Sequence, residues 1–204
     1  MSANLKELLQ EVADSADFVE ITAAADVVVD LKYASTDNFM KRNVYGDFNR
    51  AFLQVMAYEK FAKARQILKS QHPDLQFVIF DALRPRSVQW LLWNEVKGTD
   101  FQIYVADPAK GSIHNYGLAL DIGLQRKGAL LDMGTGFDAF TPLSQPKLED
   151  QYLQQGKLQE IHLQNRKILR VCLESAGFEQ LPHEWWHFNA TTFKEATTKF
   201  KIVE

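Results

Sequence analysis

Ser112-Ile113-His114-Asn115-Tyr116-Gly117-Leu118-Ala119-Leu120-Asp121 reads as a short polar loop that becomes a strand at Gly117. From Leu118 the pattern has period two, with Leu118, Leu120, Ile122 and Leu124 on one face and Ala119, Asp121 and Gly123 on the other. The first face is core. The second sets small residues around a single carboxylate, as a pocket floor would where something must sit close to the backbone. Taken alone, the segment fits equally well a half-buried strand whose Asp121 meets water. His114, in the preceding loop, can fold back towards Asp121, and an imidazole with a carboxylate supplies two of the three protein ligands of a catalytic zinc site.

Downstream, His183-Glu184-Trp185-Trp186-His187 spells HExxH. On a helix that string puts both histidines on one face to bind zinc, with the glutamate between them as base. The context here argues otherwise. Trp185, Trp186, His187 and Phe188 favour a strand over Glu184–Phe188, and Leu181-Pro182 interrupts any arriving helix. The competing reading uses Glu184 and His187 only, with His183 as a neighbour.

The pair SxHxxGxAxD and ExWH resembles the metal site of the VanX-type D-Ala-D-Ala dipeptidases, in the wider group with D-Ala-D-Ala carboxypeptidases, lysostaphin-like peptidases and hedgehog domains. Further matches follow in chain order: Lys32 to Phe39, Asp81-Ala82-Leu83-Arg84-Pro85, Asp132 to Asp138, and Gln164-Asn165-Arg166 before Gly177-Phe178. The resemblance implies an α+β fold, helices on a small antiparallel sheet, with residues 1–204 as a single domain. It implies one zinc ion per chain on His114, Asp121 and His187, and hydrolysis of D-Ala-D-Ala with Glu184 as general base. It also implies that Arg84 stabilises the oxyanion, that Asp138 binds the dipeptide's ammonium, and that Tyr33 and Ser112 contact substrate, Ser112 at the terminal carboxylate.

On the residues themselves, Arg84 before Pro85 is held extended and offers planar paired donors, although a surface ion pair with Asp81 would use the same residues. Tyr33 could equally pack the end of a strand, and Asp138 could be a solvated loop residue. The chain departs from the family pattern at Asn115-Tyr116, Leu118 and His183. Two other readings therefore stand beside the dipeptidase: a D,D- or L,D-carboxypeptidase acting on peptidoglycan stem peptides, and a zinc-stabilised binding module without catalysis. A binding module needs neither a base nor an oxyanion clamp, so Glu184 and Arg84 separate these classes.

Composition sets the outer bounds. The chain has 204 residues, 46% of them hydrophobic, and a net charge of −3, so one core of ordinary size is expected and no basic excess suggests nucleic acid. No apolar run approaches a membrane span. The N-terminal stretch is amphipathic and acidic, not a signal peptide, so a cytoplasmic location is expected. The lone Cys172 reads as a core thiol. Oligomeric state leaves no mark in the sequence.

Around the site, the pattern predicts a helix over 3–14, extended segments over 18–31, a polar loop from Tyr33 to Phe39, and an amphipathic helix over 49–70. In that helix Phe52, Val55, Met56, Phe61, Ile67 and Leu68 form the apolar stripe. A strand over 75–80 leads to a helix opened by Pro85 and running to Gly98, its aromatics in the core. Arg126-Lys127-Gly128 is a hairpin turn returning a partner strand over 129–133, followed by a flexible loop to Asp138 and a covering loop over 139–148. A helix over 149–176 ends at Gly177, with His162 in its solvated part and Arg166 structural. His72 reads as a solvated loop residue, and the tail as weakly helical.

Overall fold

A computed structural model describes residues 4–204. Helix α1 (Leu5–Asp14) is capped by Asn4, whose side chain accepts from Lys6 N, and residue 3 of the expected helix lies outside the described residues. Strand β1 (Phe18–Ile21) pairs antiparallel with β3 (Ala51–Gln54), while β2 (Val27–Val29) joins the main sheet.

The helix expected over 49–70 is thus two elements. Ala51, Phe52 and Leu53 are all buried, which one helical stripe cannot achieve, and pairing with β1 takes them into a strand. Gln54 then caps helix α2 (Val55–Gln71), accepting from Met56 N at 2.7 Å. The buried stripe of α2 is Ala57, Phe61, Ala64 and Leu68, in which Phe61 and Leu68 fill the core while the two alanines let the helix lie close to its neighbours.

The remaining elements are β4 (Leu75–Asp81), α3 (Arg86–Val96), β5 (Ala119–Arg126), β6 (Ala129–Leu130), α4 (Glu149–Gln154), α5 (Glu160–Ser175), β7 (Glu179–Gln180), β8 (His187–Asn189) and α6 (Phe193–Lys199). Pro85 sits at the N-cap of α3, not inside it, and Trp90 on that helix is exposed, contrary to the expectation of a core aromatic. The expected helix over 149–176 breaks at Gly156, which adopts a positive φ of 68° between α4 and α5. Gly177 closes α5 as expected: its N–H reaches Glu174 O while Phe178 N reaches Leu173 O. The Arg126–Ala129 hairpin forms with Lys127 and Gly128 both at positive φ, and its return strand is only two residues long.

The main sheet runs β2-β4-β5-β8-β7, with β6 at the far end of β5. It is not wholly antiparallel, because β2 pairs parallel to β4. Leu120, Ile122 and Leu124 of β5 share a face with Phe77 and Ile79 of β4, and α2 covers it, Phe61 against Phe77 at 5.6 Å. Helix α5 packs against α2 and β5. The opposite face of β5 presents Asp121.

One register detail places the site. A bulge shifts the β4–β5 pairing between Ile79 and Asp81, so Asp81 falls opposite Asp121, and Asp121 in turn falls opposite His187 of β8. Residues directly opposite point to the same side of a sheet. Three adjacent strands therefore offer Asp81, Asp121 and His187 on one rung. Among the described residues no helix is long and apolar enough to cross a membrane.

Candidate metal centre

Each ligand candidate arrives on a different piece of backbone. Asp121 and His187 come from β5 and β8, and His114 from a 3-10 turn over Ile113–Tyr116 that precedes β5. Ser112 caps that turn, its Oγ accepting from His114 N at 3.4 Å and its own N–H donating to Asn115 Oδ1 at 2.7 Å. Gly117 ends the turn at φ 67°, where a Cβ would meet Phe18 at 2.9 Å. The reversal into β5 thus depends on glycine.

The two imidazoles are oriented from behind. His114 Nδ1 lies 2.6 Å from the Ala82 carbonyl, and His187 Nε2 lies 2.8 Å from Asn189 Oδ1. Both partners accept, so those nitrogens carry the hydrogens and leave lone pairs on His114 Nε2 and His187 Nδ1. These two nitrogens are 3.1 Å apart, and Asp121 Oδ1 stands 3.0 Å from His187 Nδ1 and 3.3 Å from His114 Nε2. Three buried electron pairs so arranged repel one another unless a cation or proton sits among them. Zinc bonds of about 2.0–2.1 Å in a tetrahedron separate their ligand atoms by about 3.3 Å, close to these distances. His114, Asp121 and His187 thus form a buried group able to hold a metal ion. Burial works against the charged form of Asp121, yet the two imidazoles hold its carboxyl below the usual carboxylate range.

Arg84 stands beside this group. Its Nη2 is 3.2 Å from Asp121 Oδ2, its Nε donates to Asp81 Oδ2 at 2.7 Å, and its Nη1 donates to Gln89 Oε1 at 2.9 Å. The Asp81–Arg84 pair is therefore buried, with Asp81 wholly inaccessible, and the surface ion pair does not form. Asp81 also accepts from Ala82 N and the Tyr45 hydroxyl. Burial would lower the pKa of Arg84, but Asp81 and the other acidic neighbours raise it well above its ordinary value.

A strand was expected to start at Glu184, but β8 starts only at His187 and Glu184 lies in the turn before it, its Oε2 3.9 Å from His187 Nδ1. It is buried beside the metal group but is not part of it. Burial pushes its pKa up to about 8, with His187 pulling the other way. His183 is exposed in the same turn, so the two histidines of the HExxH string do not share a helical face.

Asp138 takes a positive φ of 57°, unusual for a residue with a side chain. Its Oδ1 accepts from the Tyr33 hydroxyl at 3.1 Å, while Oδ2 is buried without a hydrogen-bond partner. Burial, then the nearby Asp121, push its pKa up to about 8, and the solvated loop aspartate is ruled out. Tyr33 is buried as well, with the Arg84 guanidinium over its ring at 5.0 Å. Every site residue expected from the sequence lines one cavity of about 290 Å³, with His183 at its rim.

Sequence reasoning missed the supports. Asn189 follows His187 by two residues on the same strand face, a spacing that could have flagged it. Gln89, Tyr45 and the Ala82 carbonyl leave no such trace. His162, expected to be solvated, is buried, with Nε2 3.2 Å from Asp132 Oδ2 and Nδ1 accepting from Gln159 N at 3.1 Å.

The chain is similar to known proteins along most of its length. The family model described as D-ala-D-ala dipeptidase matches residues 14–201. A D-alanyl-D-alanine dipeptidase of Escherichia coli (strain K12) is 32% identical over 178 residues, covering 86% of each chain. That of Enterococcus faecium is 29% identical over 177 residues, covering 78% of this chain and 83% of its own. A third, from Synechocystis, is 29% identical over 168 residues, 67% of this chain and 68% of its own. With the match running across nearly the whole sequence, both halves of the metal group included, the chain belongs to the D-Ala-D-Ala dipeptidase family.

Proposed function

We propose that this protein is a zinc dipeptidase that hydrolyses D-Ala-D-Ala, with residues 1–204 acting as one domain. The observation that carries the proposal is the convergence of His114 Nε2, Asp121 Oδ1 and His187 Nδ1 at 3.0–3.3 Å on the floor of the cavity. When bound there, zinc supplies a Lewis acid that polarises the scissile carbonyl and acidifies water, and its charge draws the Glu184 carboxyl towards its ionised form.

The chain's own residues do the rest. Glu184 accepts the proton of the attacking water as that oxygen bonds to the carbonyl carbon. The same carboxyl then returns the proton to the leaving nitrogen as the C–N bond breaks, giving two molecules of D-alanine. Arg84 donates to the oxygen that gains negative charge. Asp81 and Gln89 already fix its guanidinium, so little reorganisation accompanies the reaction, and its donor capacity exceeds the contacts it makes.

Substrate ends are read by fixed polar groups. Asp138 Oδ2, buried and unpartnered, is placed to meet the ammonium of a free peptide, whose positive charge draws the carboxyl towards its ionised form, with the Tyr33 hydroxyl holding the other oxygen. Ser112 Oγ accepts from His114 N and keeps its hydrogen for the terminal carboxylate. An acylated amino end would bring no positive charge to Asp138, which favours the free dipeptide over a stem peptide. The D configuration rests on the family and on the names of the relatives.

The test compares D-Ala-D-Ala, N-acetyl-D-Ala-D-Ala and a stem pentapeptide, before and after chelation and with zinc restored. Zinc-dependent cleavage that prefers the free dipeptide is expected. Cleavage of the pentapeptide alone would make the protein a carboxypeptidase, and no cleavage of any of them would make it a binding module.

A further inference from the structure

Helix α5 offers a row of polar side chains that never reach the cavity. His162, Asn165 and Arg166 stand on one helical face, and that face holds both ends of the loop carrying Asp138. At the start of the loop, Asn165 Nδ2 donates to Asp132 O at 2.8 Å and Arg166 Nε donates to Met133 O at 2.7 Å. At its end, Arg166 Nη2 donates to Leu143 O at 2.9 Å. Gly134 is pressed so close to the helix that a Cβ would stand 2.5 Å from Leu158 and 2.7 Å from His162 Nδ1.

Inside these anchors the loop closes on itself. Thr135 Oγ1 and Ser144 Oγ are 3.0 Å apart, Ser144 Oγ donates to Ala139 O at 2.6 Å, and Trp185 Nε1 donates to Thr135 Oγ1 at 2.9 Å. Asp138 sits within this closed segment, in a left-handed conformation that the segment must impose. Arg166 is wholly buried, and its remaining partner is Glu149, at 3.3 Å from Nη1. An apolar residue of similar volume would fill the same space without bringing a charge out of water. What it would lack is the pair of donors that fixes Met133 and Leu143 relative to each other.

We propose that Arg166, with Asn165 beside it, is a positioning residue through which α5 sets the preference for peptides with a free amino end. It touches no substrate. It acts by holding the loop that places Asp138, and the inference rests on the dipeptidase reading above.

The experiment measures the ratio of kcat/KM for D-Ala-D-Ala to that for N-acetyl-D-Ala-D-Ala, a ratio that loss of folded enzyme does not move. Asp138→Asn serves as the reference. Arg166→Met is a fair variant because Glu149 keeps Arg170, whose Nη2 reaches both carboxylate oxygens at 2.8 Å. The expected result is a ratio lowered about tenfold or more, chiefly through a higher KM for the free dipeptide, with bound zinc unchanged. Arg166→Lys, able to reach only one carbonyl, should fall between Met and wild type. If Arg166→Met does not fold, Asn165→Leu carries the same expectation. A wild-type ratio in either folded variant, with the ratio lost in Asp138→Asn, overturns this inference alone. A wild-type enzyme without the preference, or one whose preference survives Asp138→Asn, overturns the reading of Asp138 and this inference with it.

Discussion

The two imidazoles of the metal group are supported differently, and that asymmetry can be measured. His114 leans on the backbone carbonyl of Ala82, at 2.6 Å, whereas His187 leans on the side chain of Asn189, at 2.8 Å. Asn189→Leu removes only the second support, because the β8 backbone keeps its pairing with Ala119 and Glu179. Without that acceptor the His187 proton is free to sit on Nδ1, the nitrogen that must stay bare for the ion. Loss of such an outer partner typically weakens metal binding by about 10–100-fold, or about 1.4–2.7 kcal/mol. Substitution of Ala82 by serine leaves the carbonyl in place and should leave affinity within about twofold on the same reasoning. Competition between the protein and a chromogenic chelator, with zinc as the probe, gives both dissociation constants. Asn189→Asp, which keeps an acceptor, should restore tight binding. Equal zinc affinity in wild type and Asn189→Leu would refute the assignment of His187 Nδ1 as the ligand atom.

Glu184→Gln should lower kcat about 10²–10⁴-fold while zinc content stays at one per chain, read by steady-state kinetics and metal analysis. Arg84→Met strands Asp81 in the interior and should destabilise the fold by about 3–5 kcal/mol, read as a lower urea midpoint. In metal-free protein Glu184 and Asp138 both titrate near 8, against about 4 in an unfolded chain. Between those values the folded state holds protons that the unfolded state has released. The stability contributed by these two groups is therefore fully present below about pH 4 and declines as pH rises to about 8, and Asp138→Asn should flatten that decline in urea titrations across the range. Gly134→Ala puts a methyl group against Leu158 and His162 at positive φ and should cost about 1–3 kcal/mol.

Much of the site was legible because its chemistry conflicts with its surroundings. His114, Asp121 and His187 are polar residues in strand-like apolar sequence, and the family resemblance joins them without reference to geometry. Their supports were harder to see. The Ala82 carbonyl has no side-chain identity, and Gln89 reaches Arg84 only because α3 starts where it does. In the fold, β5 and its hairpin follow directly from alternation and from Lys127-Gly128. Residues 51–54 did not, since Ala-Phe-Leu-Gln fits the start of a helical stripe and only the distant partner β1 makes it a strand. His162 departs from the expectation for a related reason: its charged neighbours suggest solvent, but the glycine loop folds over it and buries it. Sequence periodicity reports the preferences of one segment, while burial depends on what arrives from elsewhere.

The rung of Asp81, Asp121 and His187 has a bearing on how the protein matures. Its members are brought together by pairings between strands far apart in the chain, and the last of them, β8, ends at Asn189. A growing polypeptide that has not yet emerged as far as Asn189 has no complete nest for the ion, however well its earlier parts have folded. Loading of an ion therefore waits on the pairing of β8 with β5, not on the folding of any one segment.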